Sequence, residues 1–310
     1  MNAAALQAHQ LGERAYAAGE FAEAQRGFST AARLVPKSAL ALLNRSMAES
    51  RLGNRREALH SVQAALALEP KWGVAWVRAA HLLADENRLD DAKLAAERAT
   101  ATAPDLPDAW IVQSHVALRR GELKESERYA RRATSLAPGS APAWLALGET
   151  LLRTPGVPQL PEAIRAFERA NAIEPSLYPH RLLGEAFRRS GQLEASVNSL
   201  REAAKLDPHD AGVASELSGA LQAAGHTAEA NQWSLRARQL QEVRYRISKL
   251  SRAAEQDPGN VALQLQWARE LRLNGDLAGA ERRYRRVLVV DPENEPARKA
   301  LAALEAGVGN

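Results

Sequence analysis

Apolar positions in this chain return at a fixed interval. Ala24, Ala58, Ala92, Ser126, Ala163, Ser196, Ala230 and Ala280 form one column of small residues. Ala31, Ala65, Ala99, Ala133, Ala170, Ala203 and Ala237 form a second, with Val287 as its one larger entry. Small residues at these places let helix backbones approach closely, and Leu11, Phe28, Trp76, Trp110, Trp144, Leu147 and Phe167 are expected to fill the gaps between helices. Prolines mark the period: Pro36, Pro70, Pro104 and Pro138 stand 34 residues apart, and Pro175, Pro208, Pro258 and Pro292 follow at intervals of 37, 33, 50 and 34. Near the middle of the units stand Gly19, Gly53, Gly121, Gly191, Gly225 and Gly275, replaced by Asn87 in the third. Glycine and asparagine suit a left-handed residue that ends a first helix, and proline cannot continue a second. Each unit is therefore predicted to be a helix-turn-helix that buries its apolar face only against its neighbours.

Two intervals break the period. Between the helices of the fifth unit lies Thr154-Pro155-Gly156-Val157-Pro158-Gln159-Leu160-Pro161, three residues longer than its counterparts, which predicts a bulging turn. The seventh unit lacks its closing proline, and from Thr227 to Gln256 there is neither Pro nor Gly. That predicts one helix about 45 Å long. Leu240, Val243, Ile247, Leu250 and Ala254 recur along it at steps of three and four, a stripe that needs a packing partner. The C-terminal repeat and the last helix are the expected partner, with a dimer seam as the alternative.

Composition narrows the class to all-α. Aromatic residues make up only 5% of the chain, and no stretch has the β-branched and aromatic enrichment of a strand. The net charge of +4 is a small difference between 41 basic and 37 acidic residues that are intermixed, so it gives no footprint for nucleic acid. Absence of cysteine excludes disulfides and thiolate metal sites. The N-terminus lacks the basic and apolar regions of a secretion signal, and no window is apolar enough to span a bilayer, so a cytoplasmic protein is expected.

Recognisable catalytic chemistry is missing. There is no HExxH, no glycine loop ending in GK, no GxSxG and no GxGxxG after a strand, so no enzyme activity and no cofactor are expected. Of the seven histidines only His81 and His115 share a repeat position. At a repeat spacing of about 10 Å they are expected to stand too far apart to share one ion, and no metal site is predicted.

The motif of one unit can be read against a known signature, W-x2-L-G-x2-Y, then A-x3-F, then P. The fifth unit carries Trp144, Leu147, Gly148, Ala163, Phe167 and Pro175, with Leu151 in the tyrosine place. The first carries Leu11, Gly12, Ala24, Phe28 and Pro36, and the sixth Leu183, Gly184, Phe187, Ser196, Leu200 and Pro208. On these residues the chain resembles a tetratricopeptide repeat protein over nearly its whole length. The resemblance implies a right-handed α-solenoid of about eight helix-turn-helix units. Seven would occupy 5–240 (5–38, 39–72, 73–106, 107–140, 141–176, 177–210 and 211–240). The long helix would continue through 241–260, an eighth unit would fill 261–294, and a capping helix 295–306.

In that family the first helix of each unit lines the concave surface and contacts ligands. Carried over to this sequence, one row is Leu43, Val77, Ile111 and Leu145. A second is Met47, His81, His115 and Glu149, followed by Glu185. A third is Arg51, Asp85, Arg119, Arg153 and Arg189, mostly basic. The apolar row is open to two readings, ligand contact or packing between repeats. A subgroup of the family grips chaperone C-termini, and of its residues this chain keeps Asn44 and Arg78 but has His9, Glu13 and Val74 elsewhere. The expected partner is an acidic or amphipathic protein or peptide rather than nucleic acid or membrane, with the chain a monomer. The function implied is a protein-protein interaction scaffold or adaptor. The alternative is a targeting or regulatory subunit of a separately encoded glycosyl- or sulfotransferase.

Overall fold

In every helical pair but the fifth, the turn is set by one residue with positive φ. In the second pair Gly53 adopts φ 83°, and in the third Asn87 takes the same role at φ 61°. The chain reverses there: the amide of Asn54 donates to the carbonyl of Glu49 at 2.9 Å, satisfying an acceptor at the helix end.

The computed structural model describes residues 3–156 and 158–307. Among them every regular element is an α-helix, and the chain divides after Pro175 into two compact units. The first holds five helical pairs: α1 (Ala3–Ala17) with α2 (Phe21–Leu34), α3 (Ala39–Arg51) with α4 (Arg55–Leu68), α5 (Gly73–Asp85) with α6 (Leu89–Thr102), α7 (Pro107–Arg119) with α8 (Leu123–Leu136), and α9 (Ala141–Arg153) with α10 (Leu160–Ile173). The second holds α11 (Leu177–Arg189) with α12 (Leu193–Leu206), α13 (Ala211–Ala223) with α14 (Thr227–Gln256), α15 (Val261–Leu273) with α16 (Leu277–Val290), and the single α17 (Glu295–Glu305). Second helices stop two residues before the prolines at 36, 70, 104, 138, 208, 258 and 292, as the missing proline N–H requires. The segment joining α9 to α10 spans 154–159, twice the length of the three-residue turns elsewhere; Val157 within the expected bulge lies outside the described residues.

Both columns of small residues are buried, so backbones meet along them. A further pair of positions exchanges volume between first and second helix. Gly148 faces Phe167, and a Cβ on Gly148 would sit 2.4 Å from the ring. At the equivalent places Gly184 faces Leu200, while the third pair uses Ala80 and Ala96, both buried. Leu11 does not fill a gap as its column predicts. It is 55% exposed, because Gly12 beside it is the residue that turns toward Phe28.

The tryptophans do more than fill space. The indole N–H of Trp76, Trp110 and Trp144 donates to the carbonyl of Pro70, Pro104 and Pro138, at 2.8, 2.7 and 2.9 Å, fastening each first helix to the turn before it. Gln264 takes that place in the last pair, reaching the Pro258 carbonyl at 3.5 Å. Replacing Trp144 with Phe keeps most of the ring and removes one hydrogen bond, so urea denaturation is expected to register a loss of about 1 kcal/mol.

In the second unit α14 runs unbroken over 30 residues. Its apolar stripe divides between two cores. Ala237 and Leu240 pack with Ala211 and Ala214 of α13, whereas Ile247, Leu250 and Ala254 pack with Trp267, Ala268 and Tyr284 of the last pair. Between them Arg244, Tyr245 and Arg246 are exposed.

Candidate functional site

First helices supply every residue expected to face a ligand, and within the first unit most of these side chains are already engaged. Leu43, Val77 and Ile111 are buried and Leu145 is half-buried, so packing between repeats absorbs much of the apolar row. The amide of Asn44 lies 3.2 Å from Nε2 of His9, and that nitrogen is 3.4 Å from the Glu13 carboxylate. Arg78 donates to the carbonyl of Ser46 at 3.2 Å. The two residues retained from the chaperone-gripping pattern thus hold their own fold together.

The second row forms a ladder. The rings of His81 and His115 meet edge to face with centroids 6.4 Å apart, closer than a repeat spacing of about 10 Å suggests. His115 Nε2 lies 3.8 Å from a Glu149 oxygen. Burial, the neighbouring His115 and the Arg78 guanidinium push the His81 pKa down to about 4, against a partial offset from Asp85. Burial lowers that of His115 as well, and Glu149 opposes it. Both imidazoles are therefore neutral at pH 7. Among the described residues no cluster of three or more His, Asp or Glu side chains could hold a metal ion. Met47, at the head of the row, remains exposed.

Of the arginine row, Arg51 covers the Phe21 ring at 4.8 Å, and Arg119 donates to the carbonyl of Ala84 and to Asn87 Oδ1. Arg153 is exposed and meets no ion-pair partner among the described residues. Glu185 and Arg189 belong to the second unit, where both are exposed.

That unit contains an open groove of about 740 Å³ between α11 and α13. Leu182, Leu193 and Leu200 line it with Gly184 and Ala220, so its surface is largely apolar. Arg181 of α11 spans to Glu216 of α13, with Nε 2.9 Å from one carboxylate oxygen, and Tyr178 stands exposed nearby. The groove exists because α13 offers almost no side chain on this face. Gly219 and Ala223 occupy the places that His115 and Arg119 hold on α7, 34 residues beyond Glu185 and Arg189. A Cβ on Gly219 would meet nothing within 4 Å. Sequence reasoning stopped both rows one repeat short; continuing the count to a glycine and an alanine was the available signal.

Two family models, both described as tetratricopeptide repeat, match this chain, one at residues 77–141 and 111–176 and the other at 182–210. No curated protein matches it. Among solved structures, PilW, described as a widely conserved type IV pilus biogenesis factor, is 20% identical with a TM-score of 0.61, covering 71% of this chain and 100% of its own. A monomeric IFIT1 mutant with m7Gppp-AAAA is 15% identical with a TM-score of 0.62, covering 86% and 67%. TTC0263, a thermophilic TPR protein of Thermus thermophilus, is 20% identical with a TM-score of 0.53, covering 60% and 100%. At these identities the likeness is one of fold.

Proposed function

The chain belongs to the tetratricopeptide repeat family, and from that premise we propose that it is a non-catalytic docking scaffold that holds a protein partner on the face built from its first helices. The observation that carries this reading is the groove between α11 and α13, apolar along its floor and bridged by Arg181 and Glu216. A partner helix or extended segment would bury an apolar side chain against Leu182, Leu193 and Leu200. The charged bridge and Arg188 would then fix its orientation. In the first unit Met47, Arg153 and Glu149 offer a contact surface of their own. A separately encoded glycosyl- or sulfotransferase would be one such partner, and nothing in the groove selects it over another.

Gly219 separates stability from binding. Gly219→Ala adds a methyl to open space and removes glycine's entropy cost inside a helix, so thermal unfolding is expected to show stabilisation of about 0.5–1 kcal/mol. Gly219→Phe fills the groove instead. Affinity capture with the full chain should recover a partner with the native protein and with Gly219→Ala, and lose it with Gly219→Phe. Equal recovery by all three would remove the groove from the function.

A further inference from the structure

A second opening lies at the far end of the same unit. Between α15 and α17 is a pocket of about 360 Å³, within the range of ligand-sized cavities. Its charged lining is all of one sign: Arg269 and Arg272 from α15, and Lys299 from α17. Neither arginine has an ion-pair partner among the described residues, although both are exposed and free to reach one. Lys299 pairs only with Glu295, one turn away, at 3.0 Å, and both ends of that pair are more than three-quarters exposed. Such a pair holds little energy and exchanges readily for another carboxylate. Of the acids near in sequence, Glu270 lies 3.5 Å from Arg246 and Glu305 3.8 Å from Arg285.

Beside these cations the pocket is apolar, with Leu273, itself 67% exposed, and Leu304 on either side. Tyr284 also lines it. This residue stands in the column that elsewhere carries Phe28, Val62, Ala96, Ala130, Phe167, Leu200 and Ser234, and it is the one aromatic ring there with a hydroxyl. The ring is 2% exposed, and no hydrogen bond engages that hydroxyl among the described residues. Core packing accounts for the ring, whereas the oxygen is not fully enclosed and reaches the edge of the pocket.

We propose that this pocket receives an acidic peptide segment, with an apolar side chain seated against Leu273 and Leu304. Flanking Asp or Glu carboxylates pair with Arg269, Arg272 and Lys299, and one accepts the Tyr284 hydroxyl proton in a hydrogen bond. Three cations on two helices call for more than one carboxylate, which favours a run of acidic side chains over a single chain terminus. The guanidinium forks give two parallel hydrogen bonds per carboxylate. Nucleic acid fits less well, because the one aromatic ring here is buried edge and face and offers no stacking platform. The proposal rests on the docking reading of the first helices but uses an opening separate from the α11–α13 groove, and Gly219→Phe distinguishes failure of one from failure of the other.

The test uses the full chain and a fluorescent dodecapeptide of alternating Asp and Glu around a central Leu, blocked at both ends so that it carries no terminal carboxylate. Fluorescence polarisation should show saturable binding that weakens with salt. Arg269→Glu and Arg272→Glu should each weaken it about tenfold or more. Tyr284→Phe keeps the ring and should weaken binding several-fold with an unchanged melting temperature, which a purely structural tyrosine would not do. Gly219→Phe should leave this binding intact even where it abolishes capture at the groove. The proposal is overturned by unchanged binding in Arg269→Glu and Arg272→Glu. It is equally overturned by equal binding of an Asn/Gln version of the peptide, or by tighter, arginine-dependent binding of a uridine oligonucleotide.

Discussion

Phe167→Ala is expected to lower the free energy of unfolding by about 3–5 kcal/mol, the largest effect of any single substitution considered. The ring is fully buried and lies against Gly148, whose missing side chain is what makes room for it. Truncation therefore leaves a cavity that helix backbones cannot close, since the flanking columns at Ala163 and Ala170 already hold α10 at its packing distance. The same geometry predicts the remedy. In the third pair the equivalent residues are Ala80 and Ala96, an arrangement that packs without a ring. Adding Gly148→Ala to Phe167→Ala should restore part of the loss, by filling volume and by replacing a helical glycine, worth about 1 kcal/mol. Gly148→Ala alone should destabilise, because its methyl would collide with the ring. Opposite signs for one substitution in two backgrounds, read by chemical denaturation, identify direct contact.

The histidine ladder makes stability depend on pH. His81 is neutral when folded down to about pH 4, whereas an unfolded histidine takes up its proton near pH 6.5. Between those values the unfolded chain binds more protons, so stability falls as pH falls from 6.5 toward 4. The full shift would correspond to about 3 kcal/mol, and partial exposure of the ring trims this to about 2 kcal/mol. His115 contributes in the same direction, by an amount that the Glu149 carboxylate beside it reduces. Denaturation at pH 7 and pH 4.5 should show this loss in the native protein and a much smaller one in His81→Gln. Equal slopes in the two proteins would mean that His81 takes its proton in the folded state as easily as in water.

Much of the fold was legible because it rests on residues that sterics leave no alternative for. Proline past the last turn cannot continue a second helix, glycine or asparagine takes the left-handed turn, and a small residue sits at nearly every place where two backbones touch. The periodic spacing of these residues in the sequence corresponds to the paired helices from α1 to α16. What resisted reading is direction and reach. A column states that Leu11 recurs with other large residues, but not that the neighbouring Gly12 is the one turned inward. The interval between His81 and His115 places them one repeat apart but does not fix the 6.4 Å between their rings. At the candidate site the difficulty is of another kind. Residue types announce chemistry, and a row of arginines or histidines draws attention that Gly219 and Ala223 do not. The groove is made by what those two positions lack, and absence of a side chain is visible only once the walls around it are in place.

The long helix α14 has a consequence for any partner that engages both openings of the second unit. Its interval from Pro208 to Pro258 exceeds the regular one by sixteen residues, or about 24 Å of helix. Continuous hydrogen bonding along the helix makes that offset stiff. A ligand with two recognition elements must therefore match a fixed span. One with a connecting segment of the right length gains the full benefit of high effective concentration, and one too short gains none. For a ligand that engages both proposed openings, α14 would then act as a molecular ruler, selecting by the distance between epitopes as well as by the chemistry of each.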